Sequence, residues 1–128
     1  MTNSSIIPKS SSPLLAPYSP GIKKRNAVYV SGMLALDDKG KVVGKNNATA
    51  QTRWILDSIK SVIEAAGGTL ADVTFNMIFL KDFADYPKMN AVYAEYFPKN
   101  PPARYCARAD LVKPEFLVEI TSIAHISD

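Results

Sequence analysis

The stretch DVTFNMIFLKD (residues 72–82) decides the fold. Its β-branched and aromatic residues favour an extended strand. Alternation then puts Val73, Phe75, Met77 and Phe79 on one face and Ile78 and Leu80 on the other. A strand that is apolar on both faces needs cover on both. Upstream, Ile55, Ile59, Val62 and Ala66 recur at helical spacing, with Leu56 and Ile63 widening the stripe. Asn47 is the expected N-cap of that helix, and Gly67 and Gly68 stop it. Downstream, a second helix is predicted near 85–97, capped by Asp85, with Pro87 in its first turn and Pro98 after its end. Its stripe is Met89, Val92, Tyr93 and Tyr96. Further strands are predicted over 27–36, from Val42–Val43 as a return strand, within ARYCARADL (103–111), and over 116–126. The order is strand, strand, helix, strand, helix, strand, strand. It predicts an α+β domain, a mixed sheet with two helices packed on one face. The last strand repeats the two-faced pattern, with Val118, Ile120, Ala124 and Ile126 on one side and Leu117 and Ile123 on the other. Two helices cover one face, so a partner subunit is expected on the second.

The 128 residues suit one domain, 1–128, whose Ser- and Pro-rich residues 1–21 read as an extended arm. Net charge is +3 with the basic residues scattered, and the one cluster, Lys23 to Arg25, reads as a solvated loop. A nucleic-acid stripe would need more cations interleaved with aromatics. The N-terminus lacks the basic and apolar regions of a signal peptide. No apolar run approaches the roughly 20 residues of a membrane span. The single cysteine agrees with a reducing compartment, and the cytoplasm is expected. One His and one Cys without ligand spacing predict no metal site.

The chemistry-bearing residues are few. In PPARYCARAD (101–110), Arg104, Cys106 and Arg108 alternate onto one strand face. Glu119, Thr121 and His125 share a face of the last strand. A carboxylate amid apolar residues is costly unless paired. A structural ion pair between Glu119 and Arg104 is one reading. A pocket holding cation, thiol and carboxylate together, able to bind a small anion and move a proton, is the other. An arginine suits the anion because its planar fork can give a carboxylate two parallel bonds. Cys106 as a nucleophile would need a base, and nothing in the sequence places His125, which reads as a surface or interface residue, beside it. Asn90 interrupts a helix, Tyr18 lies between two prolines, and Gly32 sits inside a strand, where a bulge or a close approach is expected.

Taken together, the segments APYSPG, VYVSG, the AQT helix ending in EAAGG, ADVTFNMIFLKD, YPKMNAVYAEYFP, PPARYCA and VEI resemble the RidA/YjgF family of enamine and imine deaminases over nearly the whole chain. AQTR, GGTLADVTFN, LVKP and VEITSIAHI are similar to its aminoacrylate-deaminating branch of pyrimidine catabolism. The resemblance implies a chorismate-mutase-like fold, a homotrimer with pockets between subunits, and no cofactor. It implies Arg104 as the carboxylate clamp, Cys106 as a pocket wall and not a nucleophile, and Glu119 as the group that holds water and moves a proton. It implies Tyr18, Gly32 and Asn90 as substrate-binding positions. The activity implied is hydrolytic deamination of a small enamine carboxylate, 3-aminoacrylate foremost. A general 2-aminoacrylate/2-iminopropanoate deaminase and an RNA-binding or endoribonuclease-like protein are the alternatives.

Overall fold

The computed structural model describes residues 3–8 and 16–127. Six strands form one sheet: β1 (Ser4–Ile6), β2 (Gly21–Lys24), β3 (Ala27–Met33), β4 (Val73–Leu80), β5 (Ala103–Arg108) and β6 (Val118–His125). The helices are α1 (Ala48–Ala65) and α2 (Tyr86–Tyr96). The sheet order is β1-β2-β3-β6-β4-β5. Only β4 and β5 pair in parallel, because α2 carries the chain back across the sheet between them. The expected α+β architecture with a mixed sheet is therefore what the chain adopts. Among the described residues, no helix is long and apolar enough to cross a membrane.

Local chemistry accounts for the helices. Asn47 caps α1 through its side chain, which accepts from the Ala50 amide at 3.0 Å. Gly67 follows the helix with φ +96°, a backbone conformation that glycine adopts without steric cost. Ile55, Leu56, Ile59, Val62 and Ile63 are all buried against the sheet. Five such side chains contribute on the order of 10 kcal/mol of transfer free energy. In α2 the buried residues are Met89, Val92 and Tyr93. Asp85 makes no capping bond. Asp82 accepts from Ala84 at 2.8 Å and caps the short 3-10 turn Phe83–Asp85, which leads directly into the helix.

The helix-facing side of the sheet carries Val28, Val30, Ile78, Leu80, Val118, Ile120 and Ala124, all buried. The opposite side carries Phe75, Met77, Phe79, Thr121 and Ile123, half-buried, with Tyr29 50% and Tyr105 57% exposed. Three readings are corrected. Val73 lies with the helix-facing set, because the β4–β6 register shifts between Val73 and Phe75 and reverses the alternation there. The Lys23–Arg25 segment is not a loop. Lys23 and Lys24 pair with Val28 and Ala27 in a hairpin whose turn holds Arg25 at φ 55°. The return strand from Val42 is a single bridge to Leu36. Part of the N-terminal arm is a strand too, since β1 pairs with β2. Residues 1–2 and 9–15 of that arm lie outside the described residues.

One buried amide clamps the loop that launches β6. Gln51 Nε2 donates to the carbonyls of Gly44 (3.1 Å) and Glu115 (3.0 Å), and its Oε1 accepts from the Leu117 amide (2.8 Å). Gln51→Leu keeps the volume but strands these backbone groups. At about 1–3 kcal/mol per buried unpaired group, the variant is expected to lose about 3 kcal/mol or more in urea denaturation. A loss below about 1 kcal/mol would show that the clamp contributes little.

Candidate active site

Strand register decides which candidate residues meet. Arg104 pairs with Asn76 and Cys106 with Ile78 in the parallel β4–β5 ladder. Asn76 and Ile78 face the helices, so Arg104 and Cys106 do as well. Glu119 pairs with Phe79, on the opposite side. Within one chain, Arg104 and Glu119 therefore lie on different faces of the sheet with β4 between them. The ion pair considered from sequence cannot form within the chain, nor can one chain bring cation, thiol and carboxylate into a single pocket. The cause is the register on β4: Arg104 lies beside Asn76 and Glu119 beside Phe79, positions that alternate onto opposite faces.

The first group surrounds Arg104. Its Nη2 donates to Tyr86 Oη at 3.0 Å and to Asn90 Oδ1 at 2.8 Å. Its guanidinium carbon lies 4.9 Å from the centre of the Tyr93 ring and 5.7 Å from that of Tyr86. Such cation–π contacts contribute roughly 0.5–2 kcal/mol. Tyr86, Asn90 and Tyr93 stand four and three residues apart, on one face of α2. Tyr93 is itself fixed from below. Its hydroxyl accepts from Asn76 Nδ2 at 2.9 Å, and Asn76 Oδ1 accepts from the Ser122 hydroxyl. Asn76 and Ser122 are fully buried, so this polar thread runs through the core to the platform under the cation. An open cavity of about 510 Å³ lies against Phe83, Tyr86, Arg104 and Cys106. Burial pushes the Cys106 thiol up, and the nearby Arg104 charge only partly opposes this. A thiol so placed disfavours the thiolate that a nucleophile needs.

The second group surrounds Glu119 on the open face. Two residues of β3 are accommodated where the β3–β6 register shifts between Val30 and Met33, and Gly32 lies in that bulge. A Cβ built at Gly32 would collide with the Glu119 carboxylate. The glycine is thus the space in which the carboxylate rests. Burial raises the Glu119 carboxyl above the usual range, so it keeps its proton to higher pH than an exposed glutamate. The segment before β2 is tied to the same bulge: the Ser31 hydroxyl donates to Ser19 O at 2.5 Å, and the Ser31 amide to Pro20 O at 3.0 Å. This holds the backbone of Tyr18 within a residue of that anchor. His125 also lies on this face, where Nδ1 and the Thr74 hydroxyl are 2.9 Å apart, so within the chain it is no base for Cys106.

Tyr86, Phe83, Asn76 and Ser122 were not singled out from sequence, and Tyr93 was read only as part of an apolar stripe. The polar Asn76 inside an apolar strand was the legible signal; the hydroxyl of Tyr86 carried none. A second cavity of about 590 Å³ adjoins Asn47, Arg53, Trp54 and Asp57. Its cation is already paired, Arg53 with Glu95 at 3.1 and 3.2 Å, which leaves the Arg104 cavity as the better anion site. Among the described residues, no group of three or more His, Cys, Asp or Glu side chains could hold a metal ion.

Gly32→Ala tests the second group. The clash falls on the flexible end of a side chain, so the melting temperature is expected to stay within about 5 °C of the parent. The displaced carboxylate should lower the deaminase activity that the resemblance implies by at least tenfold. Full activity in this variant would separate the Glu119 position from the chemistry.

Residues 9–126 match the family model described as endoribonuclease L-PSP. The chain is 56% identical over 121 residues to 3-aminoacrylate deaminase RutC of Acinetobacter baylyi, covering 94% of this chain and 96% of that protein. Among solved structures, RidA from an Antarctic Psychrobacter superposes with a TM-score of 0.89 at 30% identity, over 96% of this chain and 99% of that one. The yeast protein YEO7 superposes with a TM-score of 0.91 at 28% identity, over 98% and 100%. With its length matched almost throughout and its fold shared, the chain belongs to the endoribonuclease L-PSP family, the RidA/YjgF group.

Proposed function

We propose that this protein hydrolyses 3-aminoacrylate to malonic semialdehyde and ammonia. The observation that carries the reading is Arg104, a cation oriented by three side chains of α2 at the wall of an open cavity, in a chain so similar to RutC. Arg104 anchors the substrate carboxylate. A proton adds to the carbon next to that carboxylate, and the enamine becomes an iminium. Water adds to the iminium carbon, the C–N bond breaks, and ammonia leaves with the aldehyde as product. Glu119, whose burial raises its affinity for a proton, is the group that delivers the proton and then takes one from water. Cys106 lines the cavity. Purified protein should release ammonia from 3-aminoacrylate faster than from 2-aminoacrylate. Glu119→Gln should lower the rate constant about 10²–10⁴-fold. An equal or reversed preference would favour the general iminopropanoate deaminase instead.

We further propose that the working form is a homotrimer, with the helix-side group of one subunit facing the open-face group of the next. Two observations support this arrangement: the half-buried apolar side of the sheet, and the separation of Arg104 from Glu119 by a strand. In it, the open face of one protomer meets the β5 edge of its neighbour. Arg104, Cys106 and Asn90 then stand opposite Glu119, Gly32 and Tyr18. This model makes a sharp demand on mixed assemblies. Arg104→Ala and Glu119→Gln chains, each inactive alone, should regain activity when unfolded together and refolded, with about one site in four intact after random assembly. No recovery in trimers shown by native mass spectrometry to be mixed would mean that no site pairs Arg104 of one subunit with Glu119 of the next.

A further inference from the structure

The expectation that Arg104 grips a carboxylate with its own fork meets an obstacle in the bonds it already makes. A guanidinium has five N–H donors, two of them on Nη2. Both Nη2 hydrogens are in use, one on Tyr86 Oη and one on Asn90 Oδ1. A guanidinium offers two edges for a pair of parallel bonds, Nη1 with Nη2 at its tip and Nε with Nη2 along its side. Each includes Nη2. While Tyr86 and Asn90 hold that nitrogen, Arg104 can give a carboxylate only single bonds, from Nη1 or Nε.

The two residues that hold Nη2 are not equivalent. Asn90 is half-buried and is not part of the cavity wall, and its oxygen only accepts. Tyr86 is 40% exposed, lines the cavity beside Arg104 and Cys106, and stands in the first turn of α2. Its oxygen accepts from the cation, and its own hydroxyl proton remains available to donate. A phenol that accepts from a guanidinium is polarised toward donating. Resting on the carboxylate-binding reading of Arg104, we infer that Tyr86 supplies the second hydrogen bond to the substrate carboxylate. The clamp is then composite: one N–H from Arg104 and one O–H from Tyr86, with Asn90 and the Tyr93 ring keeping the guanidinium in register.

The composite clamp makes Tyr86 a determinant of specificity. Two donors side by side match a carboxylate, which presents two acceptors. A primary amide presents one acceptor and one donor, and meets the pair with a mismatch. The test compares propionate and propionamide, which share a shape and lack the reacting amine, by inhibition in the parent and Tyr86→Phe and by calorimetric binding titration in the parent, Tyr86→Phe and the inactive Arg104→Ala. Tyr86→Phe should weaken propionate inhibition about tenfold, as expected for one bond to a charged group. Propionamide should change less than about twofold, and with the enamine substrate the effect should fall on KM more than on kcat. Propionate inhibition in Tyr86→Phe as strong as in the parent overturns the inference, and so does equal weakening of acid and amide. Arg104→Ala separates the two levels of the argument. If it abolishes propionate binding while Tyr86→Phe preserves it, the carboxylate reading stands and the composite clamp is wrong. If Arg104→Ala binds propionate as tightly as the parent does, the carboxylate reading itself falls, and the clamp with it.

Discussion

A sheet that is apolar on both faces, with both helices on one of them, is the constraint from which the rest of this structure follows. The helix side is closed in the ordinary way by Ile55, Leu56, Ile59, Val62, Ile63, Met89 and Val92. The other side keeps Phe75, Met77, Phe79 and Ile123 half-covered and leaves Tyr29 and Tyr105 exposed. A contiguous apolar surface of this kind marks a site of association. The registers on β4, with Arg104 beside Asn76 and Glu119 beside Phe79, divide the polar residues between the two faces. The proposed subunit boundary answers both the uncovered face and the divided site.

The two halves of the site are built on different principles. Arg104 is held rigidly. Two hydrogen bonds, an aromatic platform and a buried thread from Ser122 through Asn76 to Tyr93 all act on its orientation. The ordering is done in the folded protein before any ligand arrives, which reduces what binding must immobilise. Glu119 is held by shape. A missing side chain at Gly32 leaves its carboxylate room, among the described residues it makes no hydrogen bond, and burial raises its affinity for a proton. In the proposed reaction, a rigid cation positions the anion and a carboxyl exchanges the proton.

Much of the fold was legible because its signals are local. The period of α1, its Asn47 cap and its glycine stop are read within a few residues. The parity of Arg104 with Cys106, and of Glu119 with Thr121 and His125, follows from alternation within single strands. Elements whose only support is a distant partner were missed. The lysines of β2 look like solvent-facing charge until β1 and β3 pair with them. The cap before α2 moved from Asp85 to Asp82 because a 3-10 turn was added ahead of the helix. Val73 changed faces because a single register shift reverses the parity read from the sequence.

The sequence by itself determined the element types, the two-sided apolar pattern and the same-face placement of Arg104 with Cys106, since each rests on spacing along the chain. Only the tertiary structure decided which residues share a face across strands, because that depends on strand order and register. It put β4 between β5 and β6, and the registers on β4 placed Arg104 and Glu119 on opposite sides of the sheet. It also brought Tyr86, Asn90 and Tyr93 onto the guanidinium. Those contacts span from eleven to eighteen residues of chain and exist only because α2 crosses back over the strand it connects. Alternation states which side of its own strand a residue takes; the packing of that strand against its neighbours states what it meets there.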